Sequence, residues 1–216
     1  MQEKIIQAVQ THKLIAILRG VPQDRVLAVA EALYQGGIRL LEITFSADGR
    51  VSDEETARQI GVLARHFEGR MFIGAGTVLT TKQVHLTAQA GGGFIISPDT
   101  NEEVIAETKH CGLVSIPGAL SPSEITAAHR AGADFVKLFP VTTLGAAYIK
   151  AITAPLSHIR LLAVGGINED NMAQYLQAGV CGFGVSSNII NKQMVEAEDY
   201  DGITKLAKSY VSVLEK

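Results

Sequence analysis

The sequence predicts an α/β fold in which eight parallel strands close into a ring behind a layer of helices, and three observations carry that prediction. First, a helical run ending in glycine and leading straight into an apolar strand recurs five times. The copies are QGGIRLLEI from Gln35, QAGGGFIIS from Gln89, HCGLVSIPG from His110, RAGADFVKL from Arg130 and QAGVCGFGV from Gln177. The shared glycines, Gly37, Gly91, Gly112, Gly132 and Gly179, suit helix C-caps, because glycine takes the left-handed conformation there without a Cβ clash. Second, the first and last intervals between these glycines are more than twice as long as the two between them, so each should hide a further strand. Met71 to Ala75 (MFIGA) and Ile159 to Val164 (IRLLAV) supply those two, and Leu14 to Arg19 (LIAILR) adds one at the start. Third, helical patterns such as Gln23 to Tyr34, Asp53 to His66 and Asn168 to Gln177 lie between the strands. Alternation at this spacing implies parallel βαβ units, and eight of them close a TIM barrel.

We therefore expect a compact (β/α)8 TIM barrel with an N-terminal helix (MQEKIIQAVQTHK), occupying residues 1–216 as one domain. At 216 residues it is smaller than the typical ~250, so its loops must be short. A doubly wound open sheet is the competitor. It would have fewer strands and a GxGxxG-type first turn, which LRGVPQ is not.

Composition narrows the function classes. With 47% hydrophobic and 19% charged residues the chain can bury one substantial core. A net charge of −3 with scattered basic residues excludes a general nucleic-acid surface, so any anionic ligand must be caught locally. Cys111 and Cys181 lie far apart without CxxC or Cys/His spacing, which suggests neither a disulfide framework nor a structural metal site. Both read as small core residues. The six histidines form no HExxH-like pattern and read as surface residues. The N-terminus lacks the apolar core of a signal peptide, and no apolar run approaches 18 residues, so a cytoplasmic protein without membrane spans is expected.

Chemistry in such a barrel collects at the C-terminal ends of the strands, on residues of inward parity. Lys137, in the otherwise apolar AGADFVKLFP, shares the inner face with Phe135 and Phe139 while Val136 and Leu138 face out. An ammonium there is poorly solvated, and desolvation enlarges the neutral, nucleophilic fraction of the amine. A lysine that snorkels to solvent or pairs with a carboxylate is the plain alternative. Its neighbours decide: on the second strand Leu40, Glu42 and Thr44 face in and Leu41, Ile43 and Phe45 face out. A carboxylate and an amine thus share one cavity, which as structure is a weakly stabilising ion pair and as chemistry is a nucleophile with a proton shuttle.

Arg19 ends the first strand on the face of Ile15 and Ile17 and can clasp a carboxylate in bidentate fashion. Thr77, in GAGT, offers a hydroxyl, while Gly74 and Gly76 are allowed as turn residues. Pro98 and Pro117 end strands and stiffen the rim. Gly165 and Gly166 in AVGGIN, with Ser186 and Ser187 at a short helix start in FGVSSN, free backbone amides for an anion, as barrels often do after their last two strands. The stripe Ile203, Leu206, Ala207, Val211 and Leu214 reads as the inner face of the last helix.

With Glu42, GAGT, SP, IPG, KLFP and GGI in this order from about Leu14 to the C-terminus, the chain resembles the KDPG/KHG aldolase family. These are class I aldolases that cleave 2-keto-3-deoxy-6-phosphogluconate or 4-hydroxy-2-oxoglutarate. The resemblance implies Lys137 as Schiff-base lysine and Glu42 as general acid/base. It implies a pyruvate pocket lined by Arg19, Thr77, Pro98 and Phe139 and a phosphate held by Gly165, Gly166 and Ser186, and Thr44, on the inner face with Glu42, is a further substrate-binding candidate. It implies a phosphorylated keto-acid substrate, no metal or other cofactor, and a homotrimer. One departure bears on substrate choice: many members read EVTLR where this chain has EITFSADGR, so Ser46 replaces a substrate-binding arginine, and Arg50 is the nearest substitute. The alternatives are a 2-keto-3-deoxy-6-phosphogalactonate aldolase, a phosphosugar isomerase or epimerase on a similar barrel, and a non-catalytic phosphosugar binder.

Overall fold

A computed structural model describes residues 1–142 and 144–215. Its strands are β1 (Leu14–Leu18), β2 (Leu40–Thr44), β3 (Phe72–Gly76), β4 (Phe94–Ile96), β5 (Val114–Ile116), β6 (Gly118–Ala119), β7 (Val136–Leu138), β8 (Leu161–Val164) and β9 (Gly182–Val185). Its helices are α1 (Gln2–His12), α2 (Gln23–Gln35), α3 (Asp53–His66), α4 (Thr81–Gln89), α5 (Glu102–His110), α6 (Pro122–Arg130), α7 (Gly145–Thr153), α8 (Glu169–Gln177), α9 (Lys192–Glu196) and α10 (Tyr200–Leu214).

The strands run in parallel in the order β5-β4-β3-β2-β1-β9-β8-β7-β6. The two ends of that order, β5 and β6, are separated in sequence by Pro117 alone, so the chain itself joins the ends of the sheet. Pro117 was expected to end a strand. Instead it interrupts one: a proline has no N–H to give the ladder, yet its carbonyl still accepts from the amide of Lys137 at 2.8 Å. On the other side, the Ile116 carbonyl accepts from Ser97 N at 3.3 Å. The eight expected strands are present, the fifth of them split so that its first half pairs with β4 and its second half with β7.

Strand parity sorts the apolar residues into two cores. Leu41, Ile43, Phe45, Val136 and Leu138 lie between the sheet and the helices. Ile15, Leu40, Phe94, Ile96, Phe135 and Leu162 fill the lumen together with Ile5, Ala8 and Val9 of α1, which plugs the floor of the barrel. Burying each of these larger side chains contributes roughly 1.5–3 kcal/mol. Gly93 admits the helix: a Cβ there would stand 2.4 Å from Ile5 Cδ1. α10 packs its Ile203 and Ala207 inward, as its stripe requires, and Gly36 leaves room where a Cβ would come within 2.3 Å of the Ala207 Cβ.

Helix starts are set by short polar side chains. Ser52, Thr80 and Asn101 accept from backbone amides of the first turn, and Ser121 with Glu124 and Asn168 with Asn171 form capping boxes. Each cap contributes about 1 kcal/mol. Cys111 and Cys181 are free thiols, half-buried rather than core residues. Among the described residues no helix is long and apolar enough to cross a membrane.

Candidate active site

Lys137 is the middle residue of β7 and Glu42 the middle residue of β2, and both point into the lumen with only 6% and 1% of their surface exposed. The start of β7 is held by Asp134, whose carboxylate accepts from Lys109 Nζ at 2.7 and 2.8 Å and from Ser115 N at 2.8 Å. Space for Glu42 is made by Gly76, where a Cβ would fall 1.6 Å from Glu42 Oε1. Gly74 likewise admits the ring of Phe94, with which a Cβ would collide at 2.3 Å. Neither glycine is a turn residue, as the sequence alone allowed; both lie within β3 and serve packing.

Burial dominates the electrostatics of the pair. It pushes the Glu42 carboxyl up from its ordinary value, against the pull of Lys137 and then Arg19. It pushes the Lys137 amine down, opposed by Glu42 and helped by Arg19. Both shifts favour uncharged forms: a neutral amine is a nucleophile, and a protonated carboxyl is a general acid. Glu42 Oε2 is buried with no hydrogen-bond partner among the described residues, a state that costs roughly 1–3 kcal/mol and marks a group kept for something other than stability.

Lys137 opens onto a cavity of ≈ 500 Å³ at the C-terminal ends of the strands, which also takes in Arg19, Thr77, Pro98, Phe139, Gly165, Gly166 and Ser186. Arg19 Nη2 donates to Thr77 Oγ1 at 3.2 Å. Thr77 holds this position with φ of 55°, a left-handed conformation that a β-branched residue rarely takes. Such a strain of roughly 1–3 kcal/mol is typical of functional positions, and nothing in the local sequence announced it. The Phe139 ring lies 4.7 Å from Lys137 Nζ.

Across the cavity Gly165 and Gly166 have φ of 100° and 69°. The amides of Gly165, Gly166 and Ser187 donate to no backbone carbonyl of the described residues, which leaves them for an anion. Asn171 and Asn188 pin this rim by donating to the carbonyls of Gly166 and Ile167 at 2.9 and 2.8 Å. Ser186 donates its hydroxyl to Ile17 O at 3.2 Å. The expected helix start at Ser186 and Ser187 is instead an isolated turn, closed by Ile189 and Ile190 amides on Ser186 O, and the next helix begins only at Lys192. Asn191 caps that later helix, so Ser186 has no helix to start.

Thr44 and Arg50 sit elsewhere. Thr44 donates weakly to Leu18 O at 3.4 Å and borders a neighbouring cavity of ≈ 600 Å³ beyond Arg19. Arg50 lines that second cavity too, with its guanidinium 2.9 Å from Asp48, whose other oxygen accepts from Ser46 at 2.6 Å. It does not reach the cavity of Lys137.

A buried amine, a buried carboxyl, a cation and free amides can together support amine–carbonyl chemistry on an anionic ligand. Comparisons with known proteins bear on the family. The family model described as KDPG and KHG aldolase matches residues 5–206. The chain is 36% identical to the 2-dehydro-3-deoxy-6-phosphogalactonate aldolase of Escherichia coli over 177 residues, covering 82% of this chain and 83% of that one. It is 31% identical to the 2-dehydro-3-deoxy-phosphogluconate aldolase of Treponema pallidum over 214 residues, covering 97% of both. Among solved structures, a KDPG aldolase of Legionella pneumophila, with pyruvate captured as a covalent carbinolamine, superposes with a TM-score of 0.84 at 29% identity, covering 95% of this chain and 97% of that one. A family match that spans nearly the whole barrel, on a fold with the geometry above, makes this chain a member of the KDPG and KHG aldolase family and its activity that of a carbon–carbon lyase.

Proposed function

We propose that the chain cleaves a 6-phosphorylated 2-keto-3-deoxy acid to pyruvate and glyceraldehyde 3-phosphate through a Schiff base on Lys137. The observation that carries this reading is a lysine 6% exposed in the wall of the cavity, backed by a carboxyl that is 1% exposed. The neutral Nζ attacks the C2 ketone, and protonated Glu42 gives its proton to the carbinolamine hydroxyl, which departs as water to form a protonated imine and leaves Glu42 a carboxylate. Glu42 takes the C4 hydroxyl proton, the C3–C4 bond breaks, and its electron pair flows into the imine to leave an enamine while the aldehyde departs. Glu42 returns the proton to C3, and water releases pyruvate from the lysine. Arg19 and Thr77 hold the keto-acid carboxylate, Pro98 and Phe139 wall the pyruvyl group, and the amides of Gly165 and Gly166 with Ser186 receive the phosphate.

Of the two C4 epimers, the galactonate-derived acid is favoured by the likeness to the Escherichia coli enzyme and by Ser46, which removes a charge that many members place there. The gluconate-derived acid is the second reading, supported by the Treponema relative. Unphosphorylated 4-hydroxy-2-oxoglutarate, cleaved to pyruvate and glyoxylate, fits the catalytic pair but leaves the phosphate amides unused.

Two assays test the proposal. Borohydride with pyruvate should label the wild type and not Lys137→Ala, and equal labelling of both sinks the Schiff-base assignment. A panel of 2-keto-3-deoxy acids should give the highest kcat/KM on the 6-phosphogalactonate derivative; a preference for an unphosphorylated acid overturns the substrate reading. The homotrimer that the family likeness implies should appear as three chains in sedimentation equilibrium, and a cytoplasmic location, the last part of the proposal, is checked by cell fractionation.

A further inference from the structure

Outside the barrel, helices α4 and α5 bring together three side chains that the lyase chemistry leaves unused. Glu107 and Cys111 are four residues apart at the end of α5 and therefore share a face, and His85 on α4 meets them from across the helix pair. The Cys111 Sγ lies 3.5 Å from Glu107 Oε1 and 3.7 Å from His85 Nδ1, and His85 Nε2 lies 3.3 Å from the same carboxylate oxygen. The three donor groups fall within 4.8 Å of one another.

These spacings have a natural chemical meaning. With bonds of about 2.3 Å to sulfur and about 2.0 Å to nitrogen or oxygen, a tetrahedral ion sets neighbouring ligands about 3.3–3.6 Å apart. The Cys111–Glu107 edge of 3.5 Å lies in that range, and with one nitrogen of the half-exposed imidazole taken as the third donor the three atoms lie within 4.8 Å, close enough for a bound ion to draw them in. One thiolate, one imidazole and one carboxylate form a mixed donor set that suits a borderline ion such as Zn²⁺. The exposed side of His85 leaves a fourth position to water. We propose that His85, Glu107 and Cys111 form a binding site for Zn²⁺ or a similar tetrahedral divalent ion, which clamps α4 to α5 on the outside of the barrel. Binding releases the Cys111 thiol proton to water.

The test uses the full-length chain, stripped with EDTA, exchanged into chelator-free reducing buffer and titrated with Co²⁺ as the optical probe. One Co²⁺ per chain should bind with visible bands of a tetrahedral ion and a thiolate-to-cobalt charge-transfer band, and Zn²⁺ should displace it. Cys111→Ser should lose the charge-transfer band. His85→Gln, a change at an exposed position, and Glu107→Gln should each weaken binding by more than the ~10- to 100-fold that even an outer-shell partner is worth. Zn²⁺ should raise the melting temperature of the wild type and not of His85→Gln, while lyase turnover is the same with and without the ion. Absence of a charge-transfer band in the wild type, or a band that survives Cys111→Ser, overturns the proposal. Neither result bears on Lys137.

Discussion

A single methyl group added at Gly76 should disable Glu42 without touching it chemically. Gly76 closes β3 in extended backbone that alanine can adopt, but its Cβ would stand 1.6 Å from Glu42 Oε1, 2.2 Å from Cδ and 2.6 Å from Cγ. No rotation of a few tenths of an ångström relieves three such contacts, so the carboxyl must leave its place. Overpacking of this kind costs about 1–3 kcal/mol of stability. The larger effect is on turnover: a positioned proton-transfer group contributes ~10²- to 10⁴-fold, and Gly76→Ala should forfeit most of it while pyruvate still forms a borohydride-trappable imine on Lys137. The decisive assay is a double-mutant cycle on kcat. If Gly76→Ala acts by displacing Glu42, it should cost little more in a Glu42→Ala background, and the two losses should fall far short of adding. Near-wild-type turnover in Gly76→Ala, or additive losses in the double variant, refutes the reasoning.

Other perturbations probe the same site. Glu42→Gln keeps the shape and removes the proton shuttle, so single-turnover cleavage should slow by ~10²- to 10⁴-fold while part of the imine formation survives. Lys137→Met should abolish cleavage and trapping. It should also raise the melting temperature, because an apolar side chain replaces a buried amine. Sign and window follow from the lowered lysine pKa: between the folded value and the unfolded one near ~10.4 the unfolded chain holds a proton that the folded chain lacks, so stability rises with pH across that interval, a dependence absent in Lys137→Met. The raised pKa of Glu42 acts oppositely: its contribution is full below the unfolded value near ~4.3 and declines as pH climbs through the folded one, which chemical denaturation across pH checks by comparison with Glu42→Gln. Arg19→Lys replaces a planar fork with a point charge and, at about 1.5–3 kcal/mol for a charge-assisted hydrogen bond, should weaken pyruvate binding ~10- to 100-fold in KM. EDTA should leave cleavage intact, measured by coupled pyruvate release.

Alternation along a strand is a local property, and that is why so much of the site could be read from sequence. Leu40 and Glu42 against Leu41, Ile43 and Phe45, or Phe135 and Lys137 against Val136 and Leu138, sort into two faces once the strands are located, and the structure sorts them the same way, whereas Thr44 at the strand end borders the neighbouring cavity. What sequence could not supply lies between residues distant in the chain. Gly74 and Gly76 look like turn glycines until Phe94 and Glu42 are seen occupying the space where their side chains would be. The left-handed Thr77, the short turn at Ser186 and the tie between Arg50 and Asp48 depend on loop geometry that composition does not encode. Pro117 carries the usual mark of a strand end, and only the closure of the ring reveals that pairing resumes on its far side. His85, Glu107 and Cys111 match no ligand spacing because two helices, and not one motif, bring them together.

The helix lodged in the floor of the barrel decides how molecules can come and go. With Ile5 and Val9 packed in the same apolar cluster as Phe94 and Phe135, the lumen behind Lys137 is filled, and the cavity that Lys137 lines lies at the C-terminal ends of the strands. On the proposed mechanism the pyruvyl fragment is still bonded to the lysine nitrogen after the carbon–carbon bond breaks, so the aldehyde departs first. The apolar plug, which never meets the substrate, sends the incoming acid and both products through the same mouth.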